Sequence, residues 1–205
     1  MYNLSVKEFT EKIASKVPVP GGGGACAAAA SIAAALGDMV GEYTAGKKAY
    51  ASVDARIREL MAEAQELRAG LLECINEDAE SFDALSKAYK IPKDDPSREA
   101  VIENCLKGAA SGPLKIFRLC MRTIEVLKEF AEIGSKNIIS DAATGAALCR
   151  GAIMGAAVNI KVNTKLMKDR EYAEELNAFV DPNLDKYTKL ADEAFFKVYA
   201  VYEAE

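Results

Sequence analysis

Residues 18–50 read PVPGGGGACAAAASIAAALGDMVGEYTAGKKAY, and the fold follows from what this stretch can become. Prolines at 18 and 20 end any helix that approaches them, because each lacks an N–H and restricts the residue before it. Four glycines then lead into ACAAAASIAAALG, where alanine, the strongest helix former, dominates. Such a helix carries little side-chain bulk, so a neighbouring backbone can approach it closely. The glycine run lacks the following GK[ST] of a phosphate-binding P-loop, and no strand precedes it, so a nucleotide cradle fails its context. A glycine-fed helix N-terminus still presents free N–H groups that suit a carboxylate or phosphate.

Helical spacing continues on both sides, and no persistent period-2 run of β-branched residues marks a strand. Ser5 caps a first helix with Phe9 and Ile13 on its dry face. The second helix is expected from the glycines to about Gly46, and a third from about Val53 to Ala88. A loop follows around Pro92 and Pro96. A fourth helix runs from about Arg98 to Glu132, kinked or divided at Pro113. The fifth spans about Asn137 to Lys168, and the last starts near Tyr172, or just after Pro182, and ends near Tyr202. No linker or repeat divides the chain. The expectation is an all-α, single-domain bundle over residues 1–205, built from five to seven mostly long helices.

Composition narrows the chemistry. A formal net charge of -5 argues against a nucleic-acid backbone or an anionic membrane surface as partner. No signal-like opening and no apolar run long enough to span a bilayer stand out. Five widely spaced cysteines without a CxxC argue for a reducing, cytoplasmic setting rather than a disulfide framework. The chain has no histidine. That removes Ser-His-Asp and Cys-His nucleophiles and His-ligated zinc, and leaves Asp, Glu, Lys, Tyr or Cys to move protons.

Four stretches could carry that chemistry. The first is the glycine loop itself. In the second, TAGKKAY, Thr44, Lys47, Lys48 and Tyr50 gather where the second helix ends. Lysines there complement the helix dipole, or one of them holds a ligand carboxylate. The third, INEDAESFDAL, puts Asp78 and Phe82 four apart on one helical face. In the fourth, SDAATGAALCRGAIMGAAVNIKVN, residues 142–158 are almost wholly small or apolar with Arg150 the lone charge. Ser140 and Asp141 stand at its entrance as candidate caps. Asn159 and Asn163, at i and i+4, aim two amides from one face beside buried surface, where they need partners.

Together, PVPGGGGACAAAASIAAALGDMV with YTAGKKAY, DAESFDAL with YKIPKD, and SDAATGAALCRGAIMGAAVNIKVN resemble the formiminotransferase-cyclodeaminase C-terminal domain family. The order and spacing of these pieces match over nearly the whole chain. One departure is that the family usually continues its glycine run with serine, where this chain has Gly24 and Ala25. The resemblance implies an all-helical homodimer with a folate cleft near the subunit interface. It implies no metal and no prosthetic group; the folate, a tetrahydrofolate derivative, is the substrate.

The activity implied first is formiminotetrahydrofolate cyclodeamination to 5,10-methenyltetrahydrofolate and ammonia. The alternative is a methenyltetrahydrofolate cyclohydrolase giving 10-formyltetrahydrofolate, and a third reading is a folate- or partner-binding dimer without turnover. On this resemblance Asp141 is the carboxylate nearest the one-carbon unit, Asp78 a second carboxylate, and Lys47 or Lys48 a proton donor or folate-carboxylate clamp. Gly21, Gly22 and Gly23 border the cleft, Thr44 is a substrate contact, and Asn159 and Asn163 hold the pterin or position water.

Overall fold

The computed structural model describes residues 3–203, and among them the secondary structure is helical with no strand. Six α-helices follow one another: α1 (Val6–Ile13), α2 (Gly22–Glu42), α3 (Asp54–Ala88), α4 (Arg98–Ile133), α5 (Ile139–Leu166) and α6 (Arg170–Glu203). Helix α1 opens with a capping box in which Ser5 and Glu8 satisfy each other's backbone N–H. Phe9 packs against the core as expected, whereas Ile13 is 39% exposed and no α1 residue is fully buried.

Helix α2 stops at Glu42, four residues short of the expected Gly46. The chain turns there because Gly46 adopts φ +72°, a left-handed conformation favoured by glycine. Its N–H then donates to Asp54 Oδ1 at 2.6 Å, in the first turn of α3. Pro113 does not divide α4, which is one helix from Arg98 to Ile133. Proline leaves the carbonyl four residues back, that of Ala109, without its helical donor. Asn163 of α5 reaches that carbonyl with its Nδ2–H at 3.3 Å. Pro182 likewise lies inside a continuous α6, so the later start is not taken.

The central pair is α2 and α5, running antiparallel. Helix α3 packs on α2 and α4, and α4 and α6 pack on α5. Small residues set the spacing of the pair, as the alanine run requires. A Cβ on Gly145 would sit 3.1 Å from the Ala33 carbonyl oxygen, and one on Gly155 would overlap Cys26 Sγ. Phe117, Ile116, Leu71 and Ile153 fill one core cluster, and Phe130, Leu60, Ile57 and Val40 fill another. By length and composition α2 and α5 are both apolar enough to cross a membrane, contrary to the sequence reading; of their most apolar 18-residue windows, 56% and 50% lie buried inside the bundle.

One face of α5 stays uncovered. Leu148, Met154, Val158, Val162 and Leu166 are each 38–62% exposed, and a Cβ on Gly151 would meet nothing within 4 Å. These positions recur at helical spacing, so they form a continuous apolar stripe along the helix.

Candidate active site

The α2 N-terminus lies in a cleft of about 280 Å³. Its start is built without a side-chain cap, since Gly21 occupies the N-cap position. The missing acceptor comes from α3: Asp78 Oδ2 takes the Gly24 N–H at 3.0 Å. Gly23 makes this approach possible, because a Cβ there would overlap the Asp78 carboxylate. The glycine run therefore serves as a seat for a carboxylate supplied by the protein itself.

Burial pushes the Asp78 carboxyl above its ordinary value, and the Gly24 N–H opposes the shift without cancelling it. Within the cleft, Asp78 is thus a carboxyl with a physical reason to hold its proton more tightly than usual. Behind the loop, burial, then Cys120 and then Asp78 push the Cys26 thiol up to about 11. A thiol held neutral in this way is a packing group, not a nucleophile. Cys149 is buried as well, with its Sγ on the Cys120 carbonyl.

The opposite wall is α5. Asn159 Nδ2 donates to the Gly155 carbonyl at 2.8 Å, and Asn163 Nδ2 donates to the Asn159 carbonyl at 2.9 Å. Backbone bonds thus fix both amide groups, and their oxygens are the acceptors they can offer a ligand. Asn159 also lies against the loop, its Nδ2 3.1 Å from where a Gly22 Cβ would stand.

Along α3, Asp78, Phe82, Leu85 and Tyr89 all line the cleft. The spacing i, i+4, i+7, i+11 puts them on one helical face, a signal already present in the sequence. Sequence reasoning stopped at Asp78 and Phe82 and missed Leu85 and Tyr89. It also missed Pro18, Val19 and Pro113, which line the same cleft. Nothing local marks those prolines as wall rather than break.

The other candidates lie at the far end of the central pair. Helix α2 alone separates the two ends by about 30 Å at 1.5 Å per residue. There Thr44 is buried, donating to the Val40 carbonyl at 2.6 Å and accepting the Ser135 N–H at 2.9 Å. Its hydroxyl ties α2 to the loop before α5. Lys47 and Lys48 are exposed. The Tyr50 hydroxyl accepts the Lys136 N–H at 3.1 Å. That bond, with Ser135 and the charges of Lys47 and Lys136, holds the Tyr50 phenol below its ordinary value.

Asp141 lies in the first turn of α5, whose N-cap is Ile138 with no side-chain capping bond. Capping therefore does not explain Asp141, although its charge complements the helix dipole. Within one chain the structure brings Asp78, Gly21, Gly22, Gly23, Asn159 and Asn163 together, and leaves Asp141, Thr44, Lys47 and Lys48 at the opposite end.

An all-helical bundle with a carboxylate seated on a glycine-rich helix N-terminus defines the class. The sequence profile described as formiminotransferase-cyclodeaminase matches residues 5–181, and the chain belongs to that family. A relative named methenyltetrahydrofolate cyclohydrolase, from Methylorubrum extorquens, is 38% identical over 177 residues, covering 84% of this chain and 85% of its own. The formimidoyltransferase-cyclodeaminase of Rattus norvegicus is 29% identical over 179 residues; the match covers 85% of this chain but only 33% of that protein. Among solved structures, formiminotetrahydrofolate cyclodeaminase from Thermotoga maritima matches with a TM-score of 0.83 at 29% identity, over 98% of this chain and 96% of that one.

Proposed function

We propose that this chain is a methenyltetrahydrofolate cyclohydrolase. It is an enzyme of the folate one-carbon family in either case, and two matches bear on which. The relative of that name aligns with this chain at 38% identity over 84% of this chain and 85% of its own, whereas the match to the rat cyclodeaminase covers only 33% of that protein. The observation that carries the mechanism is Asp78, a half-buried carboxyl on the glycine loop, facing two fixed amides.

In this reading the pterin's N–H groups donate to the Asn159 and Asn163 amide oxygens, and the cationic methenyl carbon lies beside Asp78. The cation favours the charged carboxylate, which takes a proton from the attacking water. The oxygen bonds to carbon, giving a tetrahedral centre between N5 and N10. The C–N5 bond then breaks, its electron pair going to N5, which receives the proton held on Asp78. The remaining hydroxyl proton leaves as the C=O forms, so one proton is released overall. Burial suits Asp78 to the second half of this cycle, because it favours the carboxyl until N5 needs the proton.

A second reading is cyclodeamination, in which N10 attacks the formimino carbon and ammonia leaves from the same kind of tetrahedral centre. The full-length match to the Thermotoga maritima cyclodeaminase supports it. Paired assays following the methenyl chromophore separate the two. Accelerated loss of 5,10-methenyltetrahydrofolate is the expected result. Chromophore appearing from 5-formiminotetrahydrofolate with ammonia release would replace that reading with cyclodeamination. No change in either cuvette would leave a binding protein.

The far-end residues join the site if two copies pair. Asp141 and Asn159 are eighteen residues apart, five full turns of α5, so they project from the same side about 27 Å from one another. Their midpoint is next to Gly151, the open centre of the apolar stripe. An antiparallel α5–α5 contact about a twofold axis there buries the stripe. It also sets Asp141 of each copy opposite Asn159 of the other. A homodimer of this form returns Asp141, with Lys47 and Lys48 near it, to the one-carbon unit as electrostatic or proton-transfer groups.

A further inference from the structure

Helix interiors exclude proline, because it gives up a backbone bond and crowds the carbonyl four residues back. Pro113 nevertheless lies buried in the middle of α4, where it lines the Asp78 cleft. The residue before it faces the same carboxyl: a Cβ on Gly112 would stand 3.8 Å from Asp78 Cα. A local rule broken at the wall of a site points to a task there.

The two cleft amides differ in what they have left to offer. Among the described residues, Asn159 spends one amide hydrogen, on the Gly155 carbonyl. Asn163 spends both, since its Nδ2 donates to the Asn159 carbonyl at 2.9 Å and to the Ala109 carbonyl at 3.3 Å. The first of these is a bond within α5 that either asparagine can make to the residue four positions back. The second reaches across to α4, and Pro113 is what leaves Ala109 without its helical donor. With both hydrogens committed, the Asn163 amide is held in one orientation, and only its oxygen remains for the cleft.

We propose that Pro113 is a positioning residue for ligand binding: the carbonyl it frees locks the Asn163 amide with its oxygen toward an N–H group of the ligand. The inference rests on the folate reading above and deepens it at one contact. An acceptor with no donor beside it favours a pterin N–H and disfavours a ligand lone pair at that point. A residue other than proline at 113 returns an N–H to the helix, which takes the Ala109 carbonyl back. Asn163 then keeps one anchor and can turn over, so its oxygen faces the ligand for only a fraction of the time. Affinity falls with that fraction.

Calorimetric titration with 5-formyltetrahydrofolate, a stable reduced folate, in a double-mutant cycle tests this directly. Asn163→Ala should weaken binding about tenfold, the worth of one hydrogen bond made away from water. Pro113→Ala and Pro113→Ser both restore the N–H, and each should reproduce most of that loss in the wild-type background. Neither should weaken binding further in the Asn163→Ala background, because both residues act through one contact. In steady state the same two proline variants should raise KM and leave kcat unchanged, as loss of a contact held equally in ground and transition states requires. Equal losses in both backgrounds, or none in either, would overturn the positioning role while leaving the folate site standing. A fall in kcat with affinity intact would overturn it too, and would place Pro113 behind Asp78 through Gly112 instead. Failure of the wild-type chain to bind the probe would overturn the folate reading, and this inference with it.

Discussion

The two ends of the α2–α5 pair are made of the same material and do different things. At the glycine end, α2 begins without a cap and takes its acceptor from Asp78 on a neighbouring helix, so a carboxylate is drawn out of water. At the lysine end, α2 closes on its own turn through Thr44 and Gly46, and Lys47 and Lys48 remain in solvent. The lesson is that small residues do not themselves make a site. They make one where a side chain from another helix moves into the space they leave. In the dimer proposed above, the lysine end acquires chemistry when a second molecule supplies the facing wall.

The sharpest way to break this contrast is Asp78→Asn, which keeps size and capping ability but not acid–base function. Turnover should fall by about 10²–10⁴-fold, the usual contribution of a positioned proton-transfer group. Near-wild-type turnover would remove Asp78 from the mechanism. Gly23→Ala attacks the same contact from the other side, since its Cβ would overlap the Asp78 carboxylate. Displacing that group should cost about a hundredfold, the effect of misplacement by roughly an ångström. The corresponding alanine at Gly108, where a Cβ would meet nothing within 4 Å, is the control and should leave turnover unchanged.

Joining the two ends gives a prediction that only a composite site satisfies. Asp78→Asn and Asp141→Asn chains should each be inactive alone. Co-expressed, random pairing makes half the dimers mixed, and each mixed dimer keeps one intact site, so activity should return to about a quarter of wild type. No recovery in dimers proven to be mixed would mean that Asp78 and Asp141 do not meet across copies. Val158→Lys, placed in the apolar stripe, should separate the proposed dimer in light scattering and abolish the recovery as well.

Much of this was legible before the structure. The small-residue runs at 18–50 and 142–158 became the central helices, and the i, i+4 pair Asn159 and Asn163 became a wall of the cleft. Helix length was less legible where proline intervened. Pro113 costs one backbone bond, and a side chain fifty residues away, Asn163, covers the carbonyl it frees. Local sequence does not contain that information. Nor does it contain helix direction: Asp78 and Asp141 look equivalent along the chain, and only the antiparallel run of α2 against α5 parts them.

The smallest expected effect concerns stability rather than rate, and its sign follows from burial. Asp78 binds its proton more tightly in the folded chain than the ordinary value of 3.8 reflects. Its contribution to folding is therefore fully present below that value and is lost as pH rises through the raised folded value. At neutral pH the ionised carboxylate burdens the fold, and asparagine in its place does not. Asp78→Asn should melt a few degrees above wild type at pH 7, a shift of about the size single buried groups cause in a chain this long. The gap should close as the pH is lowered well below 3.8, where Asp78 is protonated in both the folded and the unfolded chain. A difference that did not vary with pH, or an asparagine variant that melted lower at pH 7, would show that the glycine loop holds its carboxylate without strain. The glycine end would then differ from the lysine end in shape alone.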